Sequence, residues 1–359
     1  MLASRARWCA KQLYQCRISG VRQYSRDAIS QLSNRKHDTA PAPYLLSRST
    51  SRNARRILYV HSGWAIEQVG RLWFSDVPGL ECLSIRADSF RQDPAIQSEY
   101  HVVLFGYTWL MLQLAPLVFD RDIWCVVHDP VELFPKSPDW KSKDADTVLV
   151  RSLEKLERVI VTSAEMEGAL SRLGLDVAVV PTDSRLPMRA AEELEPIARP
   201  ITVTTVGRVY RRKNYEMYKH LAHWAERERL SLLRFRPKWG FAPLPQDTYV
   251  AFLDEAQIYL CTSFQEGGPI PAMDAMRRGL VVLSTPVGQM PERIVHGETG
   301  FICRTAVEFE KRLKELAGDP ERLQSMRLAS LQHAIRFREE GSIAHSVATL
   351  INTGFAARQ

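Results

Sequence analysis

Residues 263–274 read SFQEGGPIPAMD, a glycine-rich loop that follows a buried strand and runs into a helix, a junction typical of α/β folds. Prolines at 269 and 271 suit the first turn of that helix. Two carboxylates stand eight residues apart, Glu266 in the loop and Asp274 in the helix. Each can accept hydrogen bonds from the hydroxyl groups of one long ligand. Because sugars and riboses carry such hydroxyls, the stretch predicts a sugar or nucleotide site.

A basic loop precedes this stretch by about fifty residues. Residues 207–214 read GRVYRRKN and follow a strand predicted at 202–206. The next helix presents free N–H groups to anions at its amino terminus, and an Arg fork or a Lys ammonium adds positive charge there. A phosphate site and a solvated basic turn both explain this motif, and the motif alone does not separate them.

Strands and helices alternate on both sides of these motifs. The carboxyl half has predicted strands at 201–206, 232–235, 258–262, 281–284 and 300–303, with helices at 214–228, 270–278, 305–317, 319–338 and 342–353. The amino half has predicted strands at 57–61, 80–85, 102–105, 123–127, 159–162 and 177–180. Such alternation predicts mainly parallel sheets, with ligands beyond the carboxyl ends of the strands. The stretch 181–200 has no apolar period and is predicted to link two domains.

Length and charge distribution narrow the class of protein. A chain of 359 residues exceeds the roughly 250 to 300 residues of a single core, so two domains are expected. The net charge of +7 is uneven: residues 1–56 hold twelve Lys or Arg against Asp27 and Asp38, a net of +10, which leaves −3 on the other 303 residues. A body that is not basic and lacks nucleic-acid-binding motifs argues against a nucleic-acid partner.

The basic leader at 1–56 is predicted to be disordered and has three interpretations. Basic residues interrupt every apolar run, so a secretory signal peptide is not expected. Its Arg and Ser content is typical of a mitochondrial transit peptide. Two other interpretations are favoured over a transit peptide. The leader is either a disordered tail with no function of its own or an amphipathic arm whose Trp8, Leu13, Tyr14 and Ile18 face acidic lipid. The expected location is therefore the cytoplasm, with peripheral contact at an acidic membrane surface as an option.

Residues 101–119 carry no formal charge over 19 positions, which raises the question of a membrane span. Gly106 and Pro116 divide the run into a buried strand and the start of a helix, so a buried core is favoured. Six cysteines, at 9, 16, 82, 125, 261 and 303, lack metal-ligand spacing. A reducing compartment and no metal site are expected.

Taken together, the motifs from 201 to 303 resemble the carboxyl-terminal half of the retaining glycosyltransferases of GT-B fold, family four, also called glycosyl transferases group one. The matching features are Gly-Arg followed by Lys213, the Glu-x7-Glu element with Asp274 in its second place, the small-residue turn at Gly288, and the closing Glu292 and Thr-Gly. The resemblance is weaker across 57–188, where His128-Asp129 follows a buried strand. It implies two Rossmann-like, doubly wound domains that face a central cleft: 57–190 on the acceptor side and 197–335 on the donor side, with a helix at 336–359 that packs back on the first domain.

The resemblance also implies roles for individual residues. Arg208 and Lys213 match the residues that hold the diphosphate of the donor, and Glu266 matches the residue that touches the transferred sugar. Asp274 takes the position that holds the ribose. His128 matches a histidine near the donor sugar, or it caps the loop beyond its strand. Glu292 is interpreted as a charge at a helix amino terminus. The remaining donor-binding residues implied by the family are Gly63, Gly207, Gly267, Gly268, Pro269 and Ile270.

The implied reaction moves a sugar from a nucleotide-sugar donor to a glycan or lipid-linked acceptor, as in polysaccharide biosynthesis, with retention of configuration. Cations aimed at the leaving diphosphate would replace a metal, so neither a cofactor nor a metal is expected. An alternative is a non-catalytic GT-B scaffold that binds a sugar or a protein partner. A nucleotide-sugar epimerase or a phosphorylase of the same fold is a more distant alternative.

Overall fold

The computed structural model describes residues 42–51, 53–133, 145–209, 211–240 and 244–356, without the side chains of Trp64, Ala65 and Val131. Most of the leader, up to residue 41, lies outside the described residues. The described chain forms two mainly parallel sheets, each covered by helices on both faces. Its strands are β1 Tyr44–Ser47, β2 Arg55–His61, β3 Leu80–Arg86, β4 Val102–Phe105, β5 Asp122–Val127, β6 Arg158–Val161, β7 Val177–Val179, β8 Ile201–Gly207, β9 Leu233–Trp239, β10 Ile258–Cys261, β11 Val281–Ser284 and β12 Gly300–Ile302.

The helices fall between these strands and after the last of them. They are α1 Trp64–Phe74, α2 Ala87–Gln92, α3 Thr108–Leu114, α4 Thr147–Leu153, α5 Ala164–Ser171, α6 Tyr215–Arg227, α7 Gln246–Asp254, α8 Ile270–Arg277, α9 Met290–Arg293, α10 Ala306–Gly318, α11 Pro320–Glu339 and α12 Ser342–Ala356.

Within the described residues, the first sheet has seven strands in the order β1-β3-β2-β4-β5-β6-β7. Strands β2 to β7 run parallel, and the central strand β4 is buried along its whole length. Burial on both faces explains why its sequence is a continuous apolar run rather than an alternating one. The uncharged run 101–119 divides into β4 and α3, as its Gly and Pro predicted. No helix of the described residues is long and apolar enough to cross a membrane.

Strand β1 shows that the first domain begins before residue 57, where the sequence placed its start. It pairs antiparallel with β3 at the edge of the sheet, and its Leu46 is buried. The Tyr44 hydroxyl donates to Glu67 Oε1 at 2.7 Å, and the Arg71 guanidinium lies 4.4 Å from the Tyr44 ring centroid. A four-residue edge strand shows too little periodicity to be read from sequence, so a piece assigned to the leader belongs to the first domain.

The second sheet, counted over the described residues, has five parallel strands in the order β12-β11-β10-β8-β9. Its core packs between the sheet and helices α6, α10 and α11. Because the strands are parallel, their carboxyl ends lie at one edge of the sheet. The basic loop after β8 and the glycine-rich loop after β10 therefore meet.

Helix α12 packs on the first domain although α11 packs on the second. Its Val347, Leu350, Ile351 and Phe355 share one apolar core with Trp124 and the strands of the first sheet. Gly354 faces the Trp124 ring so closely that a Cβ there would overlap the ring. The chain therefore crosses between the domains twice, once in the stretch 181–200 and once between α11 and α12.

Candidate functional site

A buried group of charges lies where the loops after β8 and β10 meet. A 3-10 turn, Arg211–Lys213, points two cations at Glu266. Arg212 Nη1 donates to Glu266 Oε2 at 2.8 Å, Ser263 Oγ donates to Oε1 at 2.7 Å, and Lys213 Nζ pairs with the same Oε1. We call Arg212, Lys213, Ser263 and Glu266 the ion-pair cluster.

The cluster keeps Glu266 ionised despite its burial. Only 3% of this residue is exposed. Burial alone would raise the pKa of its carboxyl, but the charges of Lys213 and Arg212 outweigh burial and hold the pKa at about 2. Glu266 is therefore a carboxylate at any physiological pH and can only accept hydrogen bonds.

Asp129 of the first domain completes the cluster from the opposite wall of the cleft. Its Oδ1 accepts the Gly267 N–H at 2.7 Å, and its Oδ2 lies 3.4 Å from Arg212 Nη2. Glu132 fixes this loop, because its Oε1 accepts the N–H groups of His128 and Asp129 at 2.7 and 3.0 Å. Arg212 thus pairs with one carboxylate from each domain. Sequence reasoning missed the roles of Arg212 and Asp129.

His128 stands at the carboxyl end of β5 and contacts the glycine-rich loop through its backbone. Its ring Nε2 lies 2.9 Å from the Gly106 carbonyl oxygen, so Nε2 carries the proton that it donates. Burial lowers the pKa of the His128 ring, which favours the neutral form. The His128 carbonyl lies so close to Gly267 that a Cβ on Gly267 would overlap it.

Two further contacts join the domains along the cleft. The Gly288 N–H, in the small-residue turn, donates to Glu165 Oε2 of α5 at 2.8 Å. Glu292 Oε1 accepts the Ala164 N–H at 3.0 Å, at the amino terminus of α5. Glu292 is thus a charge in the first turn of its own helix, α9, and also at the amino terminus of α5 in the other domain. Carboxylates therefore hold backbone amides on both walls.

Asp274 lies apart from the cluster, inside α8. It is buried and accepts the Tyr249 hydroxyl at 2.8 Å through Oδ2. Burial raises the pKa of its carboxyl to about 6, although hydrogen bonds from Ser184 and Tyr249 act in the opposite direction. Glu266 and Asp274 therefore have carboxyl pKa values on opposite sides of the ordinary range, and no hydrogen bond joins these two described residues.

The other residues singled out from the sequence surround the cluster or lie away from it. Gly207 ends β8 and half-buried Arg208 follows it, while Pro269 precedes α8 and Ile270 begins it. Gly268 faces Thr182 and Gln289, which leave no room for a Cβ. Gly63 lies at the end of β2, where its N–H donates to His61 Nδ1 at 2.9 Å. The structure thus brings Lys213, Glu266, Gly267 and the His128 backbone together.

The space beside the cluster is small in this conformation. A pocket of about 10 Å³, roughly the room for one water molecule, is lined by Lys213, Trp239, Tyr259, Ser263, Glu266 and Pro269, among others. Within the described residues, no group of three or more His, Cys, Asp or Glu side chains could hold a metal ion. The cluster itself offers paired cations and carboxylates in a narrow cleft.

We expect the buried Asp274 to make stability depend on pH between 5 and 7. Its folded-state pKa of about 6 lies above the ordinary 3.8, so the folded protein binds the proton more tightly than the unfolded chain and loses stability as pH rises through this window. The loss from pH 5 to pH 7 should be about 1 kcal/mol. Glu266 should not contribute, because its stabilisation is lost only as pH falls from about 4.5 toward 2. Urea unfolding of wild type and Asp274→Asn at both pH values measures the difference, and equal pH dependence in the two proteins would contradict the assignment.

Comparison with known proteins places a family match on the second domain. Residues 241–332 match the family model described as glycosyl transferases group 1. The D-inositol 3-phosphate glycosyltransferase of Corynebacterium aurimucosum is 31% identical over 98 residues, which is 27% of this chain and 23% of that protein. The Corynebacterium diphtheriae protein of the same name is 29% identical over 97 residues, or 26% and 23% of the two chains. The chain thus covers about a quarter of the length of these relatives.

Solved structures show the same architecture at low sequence identity. Sucrose-phosphate synthase from Thermosynechococcus elongatus has a TM-score of 0.60 at 15% identity, and the match covers 85% of this chain and 100% of that one. Anabaena HepE in complex with UDP has a TM-score of 0.56 at 14% identity, covering 82% of this chain and 100% of that one. The chain therefore has the two-domain, Rossmann-like GT-B fold that its motifs predicted.

Proposed function

We propose that the protein is a glycosyltransferase that moves a sugar, a hexose or a related one, from a nucleotide-sugar donor to a glycan or lipid-linked acceptor with retention of configuration. The observation that carries the proposal is the ion-pair cluster. It presents two cations and a permanently ionised carboxylate at the carboxyl ends of β8 and β10, where ligands of parallel sheets bind. The likeness of the second domain to group 1 glycosyl transferases supports the same function.

In this proposal the cations act on the leaving group. A departing nucleoside diphosphate carries negative charge away from the sugar, and positive groups already in place lower the energy of that transition state. Lys213 and Arg208 would contact the diphosphate, and Arg212, which the sequence did not single out, would add a second guanidinium. Glu266 would bind hydroxyls of the transferred sugar. No side chain is assigned as a covalent nucleophile.

Donor binding would require the cleft to open. Sites for small-molecule ligands measure about 300 to 1,000 Å³, far more than the roughly 10 Å³ beside the cluster. The walls are held together by a few polar contacts, such as Asp129 with Gly267 and Glu165 with Gly288. A donor could replace these carboxylates at the two amides with its own phosphate and hydroxyl oxygens. Closure over the bound donor would then exclude the water that hydrolyses it.

The proposal is tested by incubating the pure full-length protein with a panel of nucleotide sugars. Binding is measured by calorimetry, and donor hydrolysis and transfer to glycan or lipid-linked acceptors by product analysis. The anomeric configuration of the product, read by NMR, tests retention. We expect one class of nucleotide sugar to bind and to be consumed, with loss of consumption in Glu266→Gln. Failure of the whole panel to bind would remove the proposal.

We expect Asp274→Ala to weaken binding of the free nucleoside diphosphate by roughly ten-fold, because a lost ribose hydrogen bond of about 1.4 kcal/mol is one decade in Kd. Glu266→Gln should instead depress transfer while the free diphosphate still binds. The matched control is Tyr249→Phe, which removes the hydroxyl that Asp274 accepts but keeps the carboxylate. Equal diphosphate affinity in wild type and Asp274→Ala would show that this carboxylate serves only Tyr249 and the core.

A second candidate is a non-catalytic scaffold of the same fold. The observation in its favour is that the Gly267 amide, which the resemblance implies faces a donor, is already paired with Asp129, as the Gly288 amide is with Glu165. In that case a sugar would bind without transfer, or a partner would bind outside the closed cleft. Nucleotide-sugar binding without any turnover across a broad set of acceptors would favour the scaffold. A cytoplasmic location, with the basic leader contacting an acidic membrane surface, is part of both proposals.

A further inference from the structure

A second pocket opens at the junction of the domains and shares no lining residue with the pocket beside the ion-pair cluster. It measures about 670 Å³, which is within the size range of ligand sites. Its walls come from the stretch between the domains, from α8 and from α11. We call it the junction pocket, and its principal lining residues are Arg185, Leu186, Arg277, Ile335, Arg338 and Glu339.

Positive charge dominates this lining. The lining contains three arginines, of which Arg185 and Arg338 are exposed, and one carboxylate residue, Glu339. Arg185 donates to the neutral Gln68 Oε1 at 3.2 Å, and no carboxylate of the described residues lies within 4.0 Å of the guanidinium nitrogens of Arg185 or Arg338. The pocket therefore has at least two guanidinium groups that no carboxylate of the described residues pairs with.

The third guanidinium, that of Arg277, is fixed in the wall. Arg277 is 3% exposed, and its Nε donates to the Leu186 carbonyl at 2.8 Å. Its Nη1 lies 3.5 Å from Asp183 Oδ2, but Asp183 is also 3.5 Å from Arg293 Nη1 and so divides one charge between two arginines. Burial lowers the pKa of the Arg277 guanidinium. The negative charges of Asp183 and Asp274 raise this pKa, whereas repulsion from the positive charge of Arg338 lowers it further. A bound anion would offset that repulsion.

We propose that the junction pocket binds a phosphate monoester. Guanidinium forks bind phosphate oxygens in pairs, and two unpaired forks match the roughly two negative charges of a monoester at neutral pH. Leu186, Met188 and Ile335 line the same pocket and provide apolar contact for the organic part of the ester. The site is distinct from the proposed donor site and does not depend on transferase activity.

The test is calorimetric titration of the full chain with phenyl phosphate and, separately, with inorganic phosphate. Phenyl phosphate should bind, and Arg338→Ala and Arg185→Ala should each raise its Kd at least ten-fold without lowering the melting temperature. Arg338→Lys keeps the positive charge but loses the two-pronged guanidinium. Its Kd for phenyl phosphate should therefore lie between those of wild type and Arg338→Ala. The matched control is Arg336→Ala, an exposed arginine on α11 that does not line the pocket; it should leave the Kd unchanged.

Three results would overturn the proposal. An unchanged Kd in both Arg185→Ala and Arg338→Ala would show that the pocket does not hold the phosphate. Loss of phenyl phosphate binding in Lys213→Ala, or its displacement by UDP, would place the ligand at the ion-pair cluster instead. If inorganic phosphate binds as tightly as phenyl phosphate, the organic part of the ester contributes nothing to binding. The pocket would then be a simple anion site and not a site for a phosphate monoester. Arg338→Ala should bind nucleotide sugars as wild type does. This test can therefore fail without affecting the test of the proposed transferase.

Discussion

Lys213→Ala is expected to lower the rate of sugar transfer by about 100- to 1,000-fold. Removal of one group aimed at developing negative charge costs about 2.7 to 4 kcal/mol in comparable sites. The buried carboxylate of Glu266 would still be paired, because Arg212 and Ser263 keep their hydrogen bonds to it. The variant should therefore fold, with a large fall in kcat and little change in the melting temperature.

The matched control for this prediction is Lys219→Ala. Lys219 lies on α6, exposed and paired with Glu216 at its own helix surface, so its loss should leave transfer and stability nearly unchanged. Steady-state kinetics and thermal unfolding of both variants provide the comparison. Near-normal transfer in Lys213→Ala with an unchanged melting temperature would mean that this lysine only neutralises Glu266.

Gly267→Ala is expected to lower the free energy of unfolding by about 3 kcal/mol, at the upper end of the cost of overpacking, and to abolish transfer. The added Cβ would overlap the backbone carbonyl of His128, which has no rotamer to escape into. The φ angle of Gly267 is not positive, so the effect comes from contact between the domains rather than from backbone strain. Either the cleft opens and the Asp129 hydrogen bond is lost, or the loop shifts and Glu266 moves with it.

Gly318→Ala separates this contact from a general effect of removing glycine. Gly318 ends α10 and has nothing within 4 Å of where a Cβ would stand, so the change should be neutral or slightly stabilising. Chemical unfolding and transfer assays of both variants make the comparison. If Gly267→Ala is as stable and active as Gly318→Ala, the working protein does not adopt the closed contact between Gly267 and His128.

The sequence predicted those parts of the fold that burial controls. Val102–Phe105 and Val281–Ser284 are buried along their whole length, so continuous apolar runs mark them as strands of parallel sheets. Strand β1 was missed because an edge strand of four residues lies among Pro, Ser and Arg. Helix α7 was missed because its buried face is short: Leu253 is its one buried residue within the described chain.

Residues of the candidate site could be singled out where a recognisable loop motif carries them, but not where the contact is built by two domains. Lys213 and Glu266 each belong to a motif of consecutive residues, and the structure brings the two side chains into one ion pair. Asp129 and Gly267 are 138 residues apart, so only the packing of the domains brings them together. Arg212 is the middle cation of three, and its direction depends on a short 3-10 turn that the sequence does not mark. The roles assigned to Arg208, Lys213, Glu266, His128 and Asp274 stay predictions.

The return of α12 to the first sheet limits how the two halves of the molecule can move. Two covalent crossings join them, the stretch 181–200 and the turn at Gly341, where a φ of +66° suits glycine. Rotation about the line through both crossings leaves each crossing in place, whereas sliding or twisting would stretch one of them. Opening should therefore follow a single axis, and every opened state should return along the same path to the same alignment of the two walls.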